Sequence, residues 1–314
     1  ILPGISSVVS LAALVGESYE DAAILSMHGK KLNHLPTTVV SHEKTFLLTS
    51  GSEDIRKIGR MLTEMGLTDC EVIVGYQLSY PEENIRILMP EQCVEVTEEG
   101  LYTCLIRNPH PQPELLTHGR ADTCFLRDAS GTEGKLRRTP MTKEEVREVS
   151  ICKLHLTDGA VVYDIGSGTG SVAVEIAGLS ETVHVYAVER KPEAVELLRK
   201  NREHFHMDNM EIIEALAPEG LEELPVPTHA FIGGSGGRLM DILQTLYRKN
   251  PHMRIVINAI SMETIAELQE VLEAFPVEDG EILQMQVNRV KKLGSYHLPQ
   301  AENPVWICSF TFRE

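Results

Sequence analysis

From Val161 to Ala274, short apolar runs alternate with longer stretches whose apolar positions recur every third or fourth residue. The runs predict strands over 161–165, 183–188, 210–214, 229–232 and 253–258; the stretches predict helices over 170–178, 192–204, 237–249 and 262–274. Strands separated by helical crossovers imply right-handed βαβ units and a parallel sheet. Two last runs, "GEILQMQVNRV" and "NPVWICSFTF", have no long helix between them and predict an antiparallel pair at the edge of that sheet. Ahead of the first strand, "MTKEEVREVSICKLHL" predicts a helix capped by Thr142, with Glu145 completing a capping box.

The front of the chain has a different rhythm. β-rich runs over 22–29, 44–50, 71–76 and 101–107 surround one clear helix over 52–66, in which Ile55, Ile58, Met61, Leu62 and Met65 mark a buried face. Ser52 is the expected N-cap and Gly66 the C-terminal stop. Between the two patterns lies Asn108 to Pro140, with four prolines and many polar and glycine residues, which leaves little room for regular structure. The expected organisation is an α/β lobe over 1–107, a linker over 108–139 and a doubly wound α/β domain over 140–314.

Composition narrows the function classes. At 314 residues and 42% hydrophobic content, the chain is long enough for two cores. A net charge of −17 argues against nucleic acid as a partner, because phosphate contacts need a cationic surface. The six cysteines form no Cys-x-x-Cys pair and read as reduced core residues of a cytoplasmic protein. No run reaches the eighteen or so apolar residues of a membrane span. His204 and His206, two apart, fall on different helix faces, so no metal site is expected. The opening "ILPGISS" reads as the interior of a fold, and we expect it to continue a longer polypeptide.

The candidate chemistry sits at the end of the first predicted strand of the second pattern. "VVYDIGSGTGSVAVEIAG" places Asp164, Gly166, Gly168 and Gly170 at the carboxyl edge, where open α/β sheets bind ligands. Glycines there also simply permit a tight turn. Ser171 stands where a dinucleotide fingerprint wants its last Gly or Ala, which weakens a pyrophosphate reading and with it an NAD-dependent oxidoreductase. Glu189 ends the next strand about 20 residues on, where a carboxylate accepts hydrogen bonds from ribose hydroxyls. The alternative for Glu189 is a solvated charge beside Arg190.

The Asp-x-Gly-x-Gly-x-Gly loop resembles that of class I S-adenosylmethionine methyltransferases. Further segments make the resemblance specific. "PMTKEEVREVSICKL", "DIGSGTGSVAVEIA", "APEGLEELPVPTHAFIGGSGG", "RIVINAISMETIAEL" and "LGSYHLPQAENPVWI" resemble the decarboxylating C15-methyltransferase of cobalamin biosynthesis. "PGISSV", "LSMHGK", "TSGSEDIRKIGRMLTEMG" and "VIVGYQLSYPEENI" resemble the second lobe of the C5-methyltransferase of that pathway. The chain is thereby identified as a member of the precorrin-6Y C5,15-methyltransferase (decarboxylating) family. The resemblance implies a Rossmann-like class I domain preceded by a lobe of a tetrapyrrole methylase. Since the first C5 lobe, with its Gly-x-Gly-Pro-Gly loop, is missing from the match, the C15 half is the expected competent unit and C5 methylation belongs to the full-length parent.

The resemblance also implies roles. S-adenosylmethionine would lie against Gly166, Gly168, Thr169 and Gly170, with Asp164 toward its amino group, Glu189 on the ribose and Ala215, Leu216 and Ala217 beside the adenine. A precorrin or cobalt-precorrin would approach the turn Gly233, Gly234, Ser235 and Gly236, and Asn258. Its carboxylates would meet cations or donors among Arg289, Lys291, Lys292, Tyr296, His297, Lys143 and Arg147. Ser6, Ser7, Met27, His28 and Gly29 are secondary candidates from the C5 resemblance, and a helix cap is the plainer role for the serines. Isolated C15 domains of this kind are commonly tetrameric, so a homo-oligomer is expected. The rival within enzymes is a class I methyltransferase acting on RNA or another small molecule. A basic cleft would favour RNA, and a wide apolar pocket with a few cations would favour the tetrapyrrole. An inactive scaffold is a third possibility.

Overall fold

The structure is a computed structural model that describes residues 4–28, 34–112, 117–130 and 136–314. It comprises two compact units, one of residues 1–116 with 203–208 and the other of residues 117–202 with 209–314. The division at 116/117 lies inside the expected linker, whose segments 113–116 and 131–135 are outside the described residues.

The first unit runs α1 (Ser7–Val15), β1 (Ala23–Ser26), α2 (Leu35–Ser41), β2 (Lys44–Leu48), α3 (Ser52–Glu64), β3 (Glu71–Tyr76), β4 (Asn84–Leu88) and β5 (Tyr102–Arg107). Its sheet has the order β1-β2-β5-β3-β4, with β1 and β2 parallel and the other neighbours antiparallel. α3 buries Ile55, Ile58 and Leu62 as its periodicity predicts. Its start differs from expectation: Gly51 is the N-cap and Ser52 the first helical residue, because the Asp54 carboxylate reaches back to the Ser50 N–H at 2.7 Å. Gly66 does stop it, with a φ of 73° and the N–H groups of Gly66 and Leu67 donating to the carbonyls of Thr63 and Leu62. α2 escapes the sequence reading because "LPTTVVS" is rich in β-branched residues that favour strands.

The second unit begins with the short pair β6 (Asp128–Ser130) and β7 (Leu136–Arg138). α4 (Glu144–Leu154), β8 (Val161–Ile165), α5 (Ser171–Ala177), β9 (His184–Glu189), α6 (Pro192–His204), β10 (Met210–Glu214), β11 (His229–Ile232), α7 (Leu239–Lys249), β12 (Arg254–Ala259), α8 (Met262–Ala274), β13 (Val277–Met285), β14 (Asn288–Leu293), β15 (Tyr296–Ala301) and β16 (Val305–Phe312) follow. Seven strands form one sheet in the order β10-β9-β8-β11-β12-β16-β13. β8 to β12 are parallel, while β16 is antiparallel to both β12 and β13. The chain leaves β8 toward β9 and β10, then returns to the other side of β8 as β11. That reversal is a topological switch point, and it opens a crevice beyond the carboxyl ends of β8 and β11.

The antiparallel edge pair is present, but the hairpin β14–β15 between its strands was not foreseen. Every residue of both hairpin strands is exposed, so they carry no buried face to print an alternating pattern. α4 also starts differently. Lys143 is its N-cap without a side-chain bond, and the Glu144 N–H donates to Asp122 at 3.0 Å, so a carboxylate from outside the helix replaces the expected Thr142–Glu145 box. Cys70, Cys93, Cys104 and Cys308 are buried, whereas Cys124 and Cys152 are exposed and do not belong to a core. Among the described residues no helix is long and apolar enough to cross a membrane, and no cluster of His, Cys, Asp or Glu could hold a metal ion.

Arg147 changes place most. Expected on a solvated face or against substrate, it is fully buried in α4. Its guanidinium donates to the Thr142 carbonyl at 2.9 Å and to the Arg120 carbonyl, approaches Asp122 at 3.4 Å, and lies 3.5 Å from the equally buried Glu175 of α5. Glu175 also accepts from the Arg120 N–H at 2.6 Å and the Arg120 guanidinium at 3.0 Å. The Phe125 ring covers the guanidinium at 4.8 Å. This network fastens residues 119–125 to α4 and α5, so that part of the expected linker is packed structure.

Candidate functional site

The two glycine turns meet at the switch point. Gly166 follows β8 with a φ of 73°, a left-handed conformation that disfavours any side chain. A Cβ there would lie 2.5 Å from the Gly234 carbonyl oxygen and 2.8 Å from the Gly234 nitrogen, so the turns pack backbone against backbone. The N–H groups of Gly166 and Ser167 donate to the Val188 carbonyl at 2.9 and 3.1 Å, which ties the first turn to the end of β9.

Two acids flank this turn. Asp164 is buried; its Oδ2 accepts from the Ser167 hydroxyl at 2.6 Å and the Ala173 N–H at 3.1 Å, while Oδ1 has no hydrogen-bond partner. Burial pushes its carboxyl up to about 7, against the lowering effect of those two bonds. Glu189 is also buried, and it is bound to backbone rather than to a cationic side chain. Its Oε2 accepts from the Gly168 N–H at 3.0 Å, and its Oε1 from the Arg190 and Lys191 N–H groups at 2.9 Å each. The carboxylate therefore holds the glycine turn in shape and keeps unused lone pairs.

A cavity of about 720 Å³ opens here, within the range of small-molecule sites. It brings together Asp164, Gly166, Gly168, Glu189, Ala215, Leu216, Ala217, Gly233, Gly234, Ser235, Gly236 and Asn258. Much of the remaining wall is apolar, including Met141, Val172, Phe231, Ile260 and Met285, with cations at Lys143, Arg190 and Lys191. The Asn258 Oδ1 accepts from the Ser150 hydroxyl at 3.0 Å, and its Nδ2 is buried without a partner. A Cβ at Gly234 would meet nothing within 4 Å, so the second turn leaves open space where the first is closely packed.

Other candidates lie elsewhere. Thr169 and Gly170 do not line the cavity: Thr169 is buried with its carbonyl accepting from Asn201 at 2.8 Å, and a Cβ at Gly170 would strike Leu198 of α6. The turn has by then rotated inward to start α5. Arg289, Tyr296 and His297 also stand outside the wall, although Gln300 and Ala301 at the end of the same hairpin line it. Arg289 is paired with Glu145 at 2.6 Å and Glu302 at 3.2 Å, and Lys291 and Lys292 are exposed. α7 begins at Leu239, so the 233–236 turn precedes the helix and does not supply its first N–H groups. Pro140, Met141 and the 300–305 segment were missed as wall residues; only their neighbourhood to the strand ends in the sheet order reveals them. In the first unit Ser6 caps α1 by accepting from the Val8 N–H, Ser7 begins that helix, Met27 is buried and His28 exposed; Gly29 lies outside the described residues.

Comparison with known proteins agrees with this architecture. A family model described as a precorrin methyltransferase domain matches residues 137–311. The chain is 41% identical over 174 residues to a probable cobalt-precorrin-6B C(15)-methyltransferase (decarboxylating) of Sulfolobus acidocaldarius, covering 54% of this chain and 89% of that one. It is 24% identical over 296 residues to a precorrin-6Y C(5,15)-methyltransferase (decarboxylating) of a Sinorhizobium species, covering 93% and 68%. The crystal structure of a precorrin-6Y C5,15-methyltransferase from Geobacter metallireducens superposes with a TM-score of 0.55 at 34% identity, covering 62% of this chain and 98% of that one. With a doubly wound sheet, two glycine turns at its switch point and a family match over more than half its length, this chain belongs to the precorrin methyltransferase domain family.

Proposed function

We propose that the second unit transfers a methyl group from S-adenosylmethionine to C15 of a precorrin or cobalt-precorrin, with decarboxylation of the ring C acetate. The observation that carries this reading is the single cavity that joins two acceptor carboxylates, Asp164 and Glu189, to the open turn 233–236. The mostly apolar wall with a few cations favours a flat macrocycle over RNA. Mass spectrometry of the product from a precorrin and from its cobalt form tests it. Gain of one methyl with loss of one carbon dioxide is the expected result; cofactor binding without reaction on either would overturn it.

The residues present suit this cofactor. The unpartnered Oδ1 of Asp164 is placed to accept from an ammonium, and the free lone pairs of Glu189 suit the two hydroxyls of a ribose. Ala215, Leu216 and Ala217 offer a small, apolar wall for the adenine. When bound, S-adenosylmethionine supplies a methyl activated by its sulfonium. The chain contributes position: Glu189 holds the first turn rigid, and the second turn lets the acceptor carbon approach the backbone side of the cavity. Holding both partners in a near-attack arrangement accounts for most of the expected rate gain. The reduced macrocycle supplies the nucleophilic carbon, so the methyl transfer requires no dedicated protein base.

Glu189→Ala removes the ribose acceptor and leaves three backbone donors without it. S-adenosylmethionine affinity should fall roughly 10- to 100-fold by calorimetry; unchanged affinity would sink the ribose assignment. Asp164 gives a pH signature. Its native carboxyl titrates at about 7, above an unfolded value of about 3.9, so the folded state retains a proton between these limits that the unfolded chain has lost. Stability of the ligand-free protein should therefore decline as pH rises across that window. Because an ammonium favours the carboxylate, cofactor affinity should rise toward pH 7, by up to about tenfold per unit, and Asp164→Asn should flatten the profile.

We also propose self-association, which the family resemblance suggests, through the hairpin β14–β15. Val290, Leu293, Tyr296 and Leu298 expose apolar surface there. Val290→Asp with Leu298→Asp should shift the sedimentation coefficient toward the monomer.

A further inference from the structure

We propose that a second, cationic recess beside the methyl-transfer cavity, built on Arg127 and Arg138, holds a peripheral carboxylate arm of the tetrapyrrole. This inference rests on the reading that the acceptor is a polycarboxylate macrocycle.

The recess measures about 790 Å³ and adjoins the first cavity, since Lys143 lines both. Thr139, a wall residue of the first cavity, is joined to Arg127 twice: its N–H donates to the Arg127 carbonyl at 2.9 Å, and the Arg127 guanidinium donates to its carbonyl at 3.4 Å. A ligand in the first cavity therefore has a short route to the recess along residues 138–143.

Charge in the recess is unevenly matched. Lys143 is paired with Asp122, Lys200 with Glu196, and Arg289 with Glu145 and Glu302. Arg127 and Arg138 have no carboxylate within 4 Å among the described residues, although Asp122, Asp128 and Glu302 act on Arg127 from farther away. The Arg127 Nε is buried without a hydrogen-bond partner. Burial first, and then the Arg138 charge, hold the half-buried Arg127 guanidinium below its ordinary value.

In a chain of net charge −17 such a pair is an exception. Neither guanidinium has a carboxylate within 4 Å among the described residues, although Asp128 stands opposite Arg138 in the β6–β7 register and lines the recess with Glu144. A ligand carboxylate between them would offset the two charges, and the planar fork of each guanidinium matches its two oxygens. The acetate and propionate arms of a reduced tetrapyrrole are of this chemical class. Anchoring one of them in the recess would fix the rotation of the macrocycle, and so which ring carbon faces the methyl donor.

The test uses the whole chain and Arg127→Gln/Arg138→Gln. Uroporphyrin III, an octacarboxylate tetrapyrrole, serves as a binding probe by fluorescence, alongside KM and kcat for methylation and S-adenosylmethionine affinity by calorimetry. Probe affinity should fall roughly tenfold or more and KM should rise in step, with cofactor affinity and kcat retained. Arg127→Lys/Arg138→Lys, which keeps charge without the fork, should restore only part. Unchanged probe affinity and KM in a double variant that still binds cofactor would overturn the proposal. Should the double variant fail to fold, Arg138→Gln, at an exposed position, carries the same expectation and the same refutation. The two readings separate cleanly. Arginine-dependent probe binding without methyl transfer refutes the C15 assignment and supports the recess; methylation with arginine-independent binding refutes the recess alone.

Discussion

Arg147→Met is expected to lower the unfolding free energy of the second unit by about 3 kcal/mol, read as a lower urea midpoint at unchanged slope. The substitution strands Glu175 in a site from which solvent is excluded and leaves the carbonyls of Thr142 and Arg120 without their donor. Arg120 keeps both its N–H and its guanidinium on Glu175, which places the loss at the lower end of the range for a broken buried pair. Arg147→Met/Glu175→Leu should recover much of it, because both buried charges go together and Arg120 is able to rehydrate. A single-variant loss below about 1 kcal/mol would show that the network contributes little beyond a surface pair.

Gly166→Ala carries the second large effect. The added methyl meets two penalties at once: a positive φ, and a Gly234 backbone 2.5 Å away that has no side chain to swing aside. A loss of about 2–3 kcal/mol is expected, with S-adenosylmethionine binding falling by roughly two orders of magnitude as the turns are forced apart. Gly234→Ala is the informative contrast. Its Cβ enters open space, so stability should stay within about 0.5 kcal/mol while kcat/KM for the tetrapyrrole falls. Equal destabilisation by the two substitutions would contradict the packing described for the turns.

Much of the second unit was legible because strand and helix periods are long and clean there, and a doubly wound sheet sends every β-to-α turn to one edge. That is why sequence alone groups Asp164, Gly166, Glu189, Ala215–Ala217 and the 233–236 turn, all of which line the cavity. Thr169 and Gly170 fall outside the cavity wall, since residue spacing does not show where a turn rotates inward, a matter decided by Leu198 and Asn201 on α6. Arg147 was misread for a related reason. Helical periodicity marks a face, but only tertiary packing supplies the Glu175 that allows an arginine to be buried on it. Arg127 and Arg138 lie in a stretch with no period at all, and the hairpin with Tyr296 and His297 has no buried side to announce it.

The backbone contact between Gly166 and Gly234 has a thermodynamic consequence. Neither turn can shift without its neighbour, so ligands that touch the two turns are energetically coupled. Linkage then requires reciprocity: whatever factor a bound donor adds to acceptor affinity, a bound acceptor must add to donor affinity. An enzyme built this way would show one coupling factor, of the same size and sign, whether donor or acceptor is bound first.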